Sequence, residues 1–311
     1  MDVLTPTWTE YELIDSGAGR KLERFGEFVL VRPEPQAQWT PALPMKRWES
    51  AAGEFAKSKA GERGEWKFRE SVPTQWRMQR NDLHFWVRPS PSGHVGVFPD
   101  QACHWDWIAK VAQRAGRHVR VLSLFGHTGL ATLAAAAAGA EVTHVDSSRK
   151  AVAWARENQA LSGLSDRSIR WVVEDALTFV TREARRGNQY DALLLDPPRF
   201  GRGPDGELWK LEKSLPQLLR ECAKLLSASP AFLLLNLYVT VLKRSRTEKQ
   251  ATELGSQLSE MLQKVPATIT TGELVLVDSA ERRISASVFA RTDFRVVPAR
   301  KQSREKSVQP R

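Results

Sequence analysis

From about residue 103 short apolar runs alternate with longer segments of helical period. The runs at 119–125, 141–145, 169–173, 192–195 and 231–237 are compact and rich in Val, Ile and Leu. Between them, 128–138, 148–161, 176–186 and 208–226 repeat apolar residues at helical spacing. Strands that are apolar on both faces and separated by helices predict a parallel, doubly wound sheet with both faces covered. A further helix over 245–262 leads to runs at 274–277 and 285–290, whose short connection predicts an antiparallel pair at the sheet edge.

The first hundred residues follow another pattern. Runs at 11–15 and 27–32 flank a Gly-containing turn, and those at 83–88 and 94–98 flank Pro89-Ser90-Pro91-Ser92-Gly93, a hairpin signal. Residues 51–65, charged and punctuated by Gly, read as an exposed loop or short helix. Six of the 11 tryptophans (Trp8, Trp39, Trp48, Trp66, Trp76, Trp86) fall here, so the segment either builds a small core from few large side chains or presents a base-stacking surface beside Arg77, Arg80 and Arg88. The predicted organisation is a smaller β-rich N-terminal domain over 1–92, a Rossmann-like domain over 93–296, and a basic, disordered tail over 297–311.

Charge adds direction to this outline. The chain of 311 residues carries 46 Lys+Arg against 36 Asp+Glu, a net +10 that suits a polyanionic partner. Residues 1–100 balance at 14 against 14, 101–296 hold 27 against 21, and the last fifteen hold 5 against 1. The surplus therefore lies in the second two-thirds. Cys103 and Cys222 have no metal or redox spacing, and no metal site is expected. The most apolar stretch, eleven residues over 130–140, is short of a membrane span. The first residues lack the basic and apolar regions of a signal peptide, so a cytoplasmic, reducing location is expected.

In doubly wound sheets ligands sit beyond the carboxyl ends of the strands. The first strand closes on Gly126 and Gly129, which permit a tight turn and close backbone approach, although G-x-G-x-x-G is absent. The second closes on Asp146, placed to accept hydrogen bonds from ribose hydroxyls; Ser147 and Ser148 are alternative helix caps. The third closes on Glu174-Asp175-Ala176, where a carboxylate can meet an adenine amine or cap the next helix. The fourth closes on Asp196-Pro197-Pro198-Arg199-Phe200-Gly201. Two prolines end the ladder and stiffen the loop, Asp196 and the Pro197 carbonyl become acceptors, and Phe200 can stack on a flat substrate.

Together these residues resemble class I S-adenosylmethionine-dependent methyltransferases. The likeness is strongest to bacterial large-subunit ribosomal RNA methyltransferases with V-L-N-x-F-x-Y-T-G and D-P-P-[KRT]-F motifs. Here these read Val121-Leu122-Ser123-Leu124-Phe125-Gly126-His127-Thr128-Gly129 and Asp196-Pro197-Pro198-Arg199-Phe200. A G-x-F-x-D-Q segment, close to the methionine part of the cofactor in that family, has its match in Gly96-Val97-Phe98-Pro99-Asp100-Gln101. The resemblance implies a seven-stranded sheet, S-adenosylmethionine as cofactor and RNA, ribosomal RNA first, as partner. It implies a cofactor site of Phe98, Gln101, Ser123, Phe125, Gly126, Thr128, Gly129, Asp146, Ser147, Asp175, Ala176 and Asp196, with Asp196, Pro197 and Phe200 at the reaction.

Two departures shape the expected chemistry. Cytosine-5 relatives carry a cysteine after the fifth strand, because an unreactive ring carbon needs a thiolate to attack first. Here that strand ends Leu235-Asn236-Leu237-Tyr238, so direct transfer to a nitrogen is expected. The familiar RNA-binding module is also missing from the N-terminus. The rival readings are transfer to a small molecule or protein, a nucleotide-binding oxidoreductase, and a non-catalytic RNA binder.

Overall fold

The N-terminal strands are β1 (Asp2–Leu4), β2 (Tyr11–Gly17), β3 (Arg20–Phe25), β4 (Phe28–Pro33), β5 (Gly53–Lys57), β6 (Gly64–Phe68), β7 (Trp76–Arg80) and β8 (Leu83–Val87), with helix α1 (Met45–Glu49) between β4 and β5. Then follow α2 (Ala102–Arg114), β9 (Arg120–Leu124), α3 (Leu130–Ala137), β10 (Glu141–Asp146), α4 (Arg149–Leu161), β11 (Ile169–Val173), α5 (Ala176–Arg185) and β12 (Ala192–Leu195). The chain continues through β13 (Phe200–Arg202), β14 (Leu208–Lys210), α6 (Leu211–Leu225), β15 (Phe232–Tyr238), α7 (Arg244–Met261), β16 (Thr270–Val277) and β17 (Arg283–Asp293). This computed structural model describes residues 1–57, 64–69, 72–238, 244–263, 265 and 267–294. The expected tail lies outside them.

The principal sheet has eight strands in the order β1-β16-β17-β15-β12-β9-β10-β11. Strands β9, β10, β11, β12 and β15 are mutually parallel, and β17 runs antiparallel to both β15 and β16. The seven expected strands are thus joined by an eighth: β1 pairs in parallel with β16 at the edge. Three residues between Met1 and Pro6 are too few for any alternation to show in sequence.

Side-chain alternation sorts the central strands between two cores. Val121, Ala192, Leu194, Phe232 and Leu234 pack on one face with α2 and α3. Leu122, Leu124, Leu193, Leu195, Leu233 and Leu235 pack on the other with α5, α6 and α7. Both faces are buried, which is why these strands are leucine runs rather than alternating ones.

The N-terminal residues form a separate five-stranded sheet, β2-β3-β4-β5-β6, and a β7–β8 hairpin. Tyr11, Phe25, Trp76 and Phe85 from these elements are buried in the same cluster as Val121, Leu194 and Phe289. The polar look of β3 conceals its burial. Glu23 is fully buried and accepts hydrogen bonds from Arg32 Nε at 2.8 Å, Arg32 Nη2 at 2.9 Å and Tyr11 Oη at 2.9 Å. Burial opposes its ionisation, but Arg32 and Lys21 hold its carboxyl below the usual value.

Three local expectations change. Within the span 51–65, the described residues form β5 and the start of β6 rather than a loop or helix, and 58–63 lie outside the described residues. β8 pairs along its length with β7, and 94–98 forms no strand. It meets the end of the 83–88 run only through Arg88 N to Val95 O at 3.0 Å, the turn being closed by Ser90 N to His94 O at 2.8 Å, after which Gly96, at φ 85°, redirects the chain. Residues 208–210 are strand, and the helix begins at Leu211. Of the six N-terminal tryptophans, Trp8, Trp39, Trp66 and Trp76 donate their indole N–H to backbone carbonyls, and Trp48 donates to Asp15 at 3.0 Å. Side chains fastened in this way build the core of the segment.

Candidate active site

β9 is flanked by β10 on one side and β12 on the other, so the topological switch point opens at its carboxyl end. A cleft of about 570 Å³ lies there. Its floor is the turn after β9, in which Phe125 at φ 57°, His127 at φ 49° and Gly129 at φ 88° are all left-handed. A side chain at Gly129 would also meet Ala155 Cβ at 2.8 Å, which explains the glycine at the start of α3. Gly126 is held to a close approach, because a Cβ there would meet the His144 ring at 2.3 Å.

The segment ahead of α2 forms the opposite wall. Thr128 Oγ1 donates to the Gly96 carbonyl at 2.6 Å and ties this wall to the glycine turn. Gly96 lies so close to α4 that a Cβ would meet the Trp154 ring at 2.2 Å. The short 3₁₀ turn Pro99–Gln101 then delivers Phe98 and Gln101 to the cleft.

The carboxyl ends of β12 and β15 complete the site. Leu195 pairs with Leu235, so Asp196 and Asn236 emerge side by side one residue later. Asp196 Oδ1 accepts from Asn236 Nδ2 at 2.8 Å, and Oδ2 accepts from Gln101 Nε2 at 3.3 Å. Burial is the largest influence on this carboxyl. The two amides pull against it, Asp100 adds to it, and the result is a group pushed up to about 7.

Seven residues expected at the cofactor line the cleft: Phe98, Gln101, Ser123, Phe125, Gly126, Thr128 and Asp196. Gly129, at the end of the turn after β9, does not itself line the cleft, and Asp146, Ser147, Asp175 and Ala176 lie at the ends of the adjoining strands β10 and β11. Asp146 Oδ2 accepts from His127 N at 2.9 Å and Oδ1 from Ser148 N at 2.8 Å, while the cap of α4 falls to Ser148. Asp175 caps α5 by accepting from Thr178 N at 2.9 Å. Pro197 is buried and does not line the cleft, and Phe200 is 62% exposed on β13, outside it.

Sequence reasoning missed Asn236 and His104 and gave His127 a structural role in the glycine turn; all three line the cleft. The available signal for Asn236 was a lone polar residue closing a leucine strand. His104 is buried beside Asn236, whose side-chain amide hydrogen-bonds to its ring. Burial pushes His104 down to about 3, so its ring is neutral and can both donate and accept. Gln101, His104, Asp196 and Asn236 beside the apolar Ile108, Leu130 and Leu234 fit a ligand that carries an amino-acid group on a less polar body.

A second cavity, of about 940 Å³, lies between β3–β4 and β16–β17 and shares Phe98 with the cleft. Lys21, Arg32, Glu34 and Asp100 line it. Cys222 is fully buried in α6, within the core on the far face of the sheet, and burial pushes its thiol up. Among the described residues, no three His, Cys, Asp or Glu side chains are grouped to hold a metal, and no helix is long and apolar enough to cross a membrane.

A parallel sheet that switches at β9 and carries an antiparallel strand between β15 and β16 is the sheet of class I methyltransferases, and Asp-Pro-Pro at the end of β12 agrees with it. The chain belongs to the S-adenosylmethionine-dependent methyltransferase family, whose model matches residues 54–249. The crystal structure of the SAM-dependent methyltransferase from Agrobacterium tumefaciens is 40% identical, covers 94% of this chain and 93% of that one, and superposes with a TM-score of 0.87. The Pyrococcus abyssi tRNA (uracil-54, C5)-methyltransferase, 12% identical, covers 88% of this chain and 59% of its own, with a TM-score of 0.50, and shares the fold. Among curated relatives, the ribosomal RNA large subunit methyltransferase K/L of Shewanella sp. (strain ANA-3) is 40% identical over 111 residues, 35% of this chain. That match spans 16% of the relative's length. The protein is therefore a methyltransferase, and its cofactor is S-adenosylmethionine.

Proposed function

We propose that this enzyme methylates a nitrogen of a base in RNA, ribosomal RNA first, by direct transfer without a cysteine nucleophile. The observation that carries the reading is the Asp196 carboxylate, gripped by Asn236 and Gln101 in a cleft that neither cysteine lines. Cys222, the thiol nearest in sequence to the fifth strand, packs on the opposite face of the sheet. A carboxylate at a strand end accepts an N–H, so it suits an amine or a ring nitrogen better than a phosphate oxygen.

S-adenosylmethionine, when bound, supplies a methyl group made electrophilic by its sulfonium. The protein's part is to bind, orient and manage a proton. Gln101, Ser123, Phe125, Gly126 and Thr128 are assigned to the cofactor, with Asp146 reserved for the ribose hydroxyls and Asp175 and Ala176 for the adenine side. Asp196 orients the acceptor nitrogen, and a carboxyl near 7 is matched to accept its proton around neutrality. The second cavity favours the same class of acceptor. Lys21 lies 3.6 Å from Glu23 and 3.5 Å from Glu34, and Arg32 is paired with Glu23. These cations are neutralised, and Asp100 is left as the charge toward an entering N–H group.

The ribosomal target draws on the name of the partial K/L relatives. The test is transfer of tritiated methyl groups from S-adenosylmethionine to total RNA and ribosomal subunits of a strain lacking the gene, followed by nucleoside mass spectrometry. A labelled nitrogen on a base is the expected outcome. Label on protein or small molecules, with none in RNA, would overturn the reading, and Asp196→Ala should abolish labelling while cofactor still binds.

A further inference from the structure

The loop after Asp-Pro-Pro does not end the site. It continues into the antiparallel hairpin β13–β14, with Phe200 opposite Lys210, Gly201 opposite Trp209 and Arg202 opposite Leu208. Alternation puts Gly201 and Trp209 on one face and the other four side chains on the second. The first face is an anchor. Trp209 is 3% exposed, its indole N–H donates to the Pro198 carbonyl at 2.6 Å, and its ring lies 4.8 Å from that of Phe125, which lines the cleft.

The second face is turned to solvent. Phe200 is 62% exposed and Leu208 57%, the two most exposed large hydrophobics among the described residues. They stand on a diagonal, with Lys210 and Arg202 on the other diagonal, and directly opposed side chains are about 5 Å apart. The Arg199 guanidinium lies 5.7 Å from the Phe200 ring and forms an ion pair with Glu212 at 3.2 Å. The acidic Asp205 and Glu207 stay off this face: Asp205 is at the hairpin tip, and Glu207 accepts from the Asp205 amide at 3.0 Å.

We propose that this face docks the single-stranded RNA next to the acceptor nucleotide, with one neighbouring base on Phe200 and its phosphates on Lys210 and Arg202. The inference rests on the RNA reading above and assigns Phe200 to a flanking base rather than to the reacting one. Two apolar platforms interleaved with two cations match the alternation of base and phosphate along a strand. A solvent-facing aromatic without neighbouring cations would call for a protein partner instead. Anchorage through Trp209 to Pro198 and Phe125 couples the docked strand to the loop that holds Asp196, so flanking contacts are spent on positioning the acceptor.

The test measures binding of a fluorescein-labelled twelve-residue oligouridylate by anisotropy, alongside S-adenosylmethionine affinity by calorimetry. Phe200→Ala should weaken oligouridylate binding roughly 10- to 100-fold, the loss expected of one stacked base. Arg202→Glu with Lys210→Glu should also weaken it, and single alanines there should each reduce the slope of log affinity against log salt by about 0.7. Cofactor affinity should move less than twofold in all of them, which shows that the fold persists. In RNA labelling, the same variants should lower kcat as well as raise KM, because the flanking contacts position the acceptor. A wild type that labels no RNA would bring down the parent reading. A wild type that labels RNA, with hairpin variants unchanged in KM and in oligouridylate affinity, would overturn this inference alone.

Discussion

Replacing Asp196 by Asn should make the protein more stable at pH 8 while removing its activity. In the unfolded chain this carboxyl loses its proton near 3.8, whereas in the folded cleft it is pushed up to about 7 by burial and by Asp100. Between those values the unfolded state binds fewer protons, so stability falls as pH rises, and the loss levels off above about 8. The full displacement corresponds to roughly 4 kcal/mol, of which about 2–3 kcal/mol should develop between pH 5 and pH 8. Asn has nothing to ionise. Its amide can keep the bond with Asn236, while Gln101 must turn its own amide, a rearrangement costing about 1 kcal/mol at every pH.

Urea titration followed by tryptophan fluorescence at pH 5, 6.5 and 8 gives the two stability curves. The variant should gain on the wild type by about 2 kcal/mol across that range once cleft water has reduced the full figure. Parallel curves, separated by a constant offset, would refute the account of Asp196. Methyl transfer by the wild type should rise as pH passes through about 7, because the acceptor nitrogen is held by the ionised form. A residue that destabilises the fold when charged and is needed when charged is a pattern expected of an active-site group.

Asp146→Ala should weaken S-adenosylmethionine binding about 10-fold by calorimetry, since the ribose hydroxyls lose a charged acceptor; unchanged affinity would remove it from the cofactor site. Cys222→Ala should keep kcat/KM within a few-fold of wild type at a cost of about 1–2 kcal/mol in stability, and a folded but inactive variant would restore covalent chemistry. Gly96→Ala should lose about 2–4 kcal/mol in urea titration, because the residue sits at φ 85° and its Cβ would meet Trp154. An unshifted midpoint would show that α4 can yield.

The legible parts of this fold are those in which one physical rule acts alone. Strands β12 and β15 are buried on both faces and so stand out as leucine runs, and the polar residues that close them fall at the ligand end by topology. Asp196 was legible for that reason, and Asn236 obeys the same rule one strand further on. β3 was not legible, because its buried position carries Glu23 and the partner that makes burial tolerable, Arg32, comes from the next strand. Hydrophobic pattern cannot register a buried ion pair. The tryptophans were ambiguous for a related reason: an indole is equally suited to a core or a stacking platform, and the choice depends on acceptors such as Asp15 and the carbonyls of Phe25 and Ser90, which only the fold brings within reach.

The same pairing explains where charge is available to a polyanion. Residues 1–100 balance at 14 Lys/Arg and 14 Asp/Glu, and the balance is also local. Arg32 meets Glu23, Arg20 meets Glu54, Arg24 meets Glu12, and Asp15 is taken by Arg282 from the β16–β17 connection. Cations committed in this way release few counterions when a nucleic acid approaches, so they add little to its affinity. The surplus of 27 over 21 in residues 101–296 is a different resource, since it includes Arg202 and Lys210 beside an exposed aromatic on the hairpin that follows Asp-Pro-Pro. Salt-dependent attraction should therefore respond to substitutions on the hairpin and not to charge reversals on the outer face of β2–β4. This division of labour follows from which ions already have partners, and net charge alone does not reveal it.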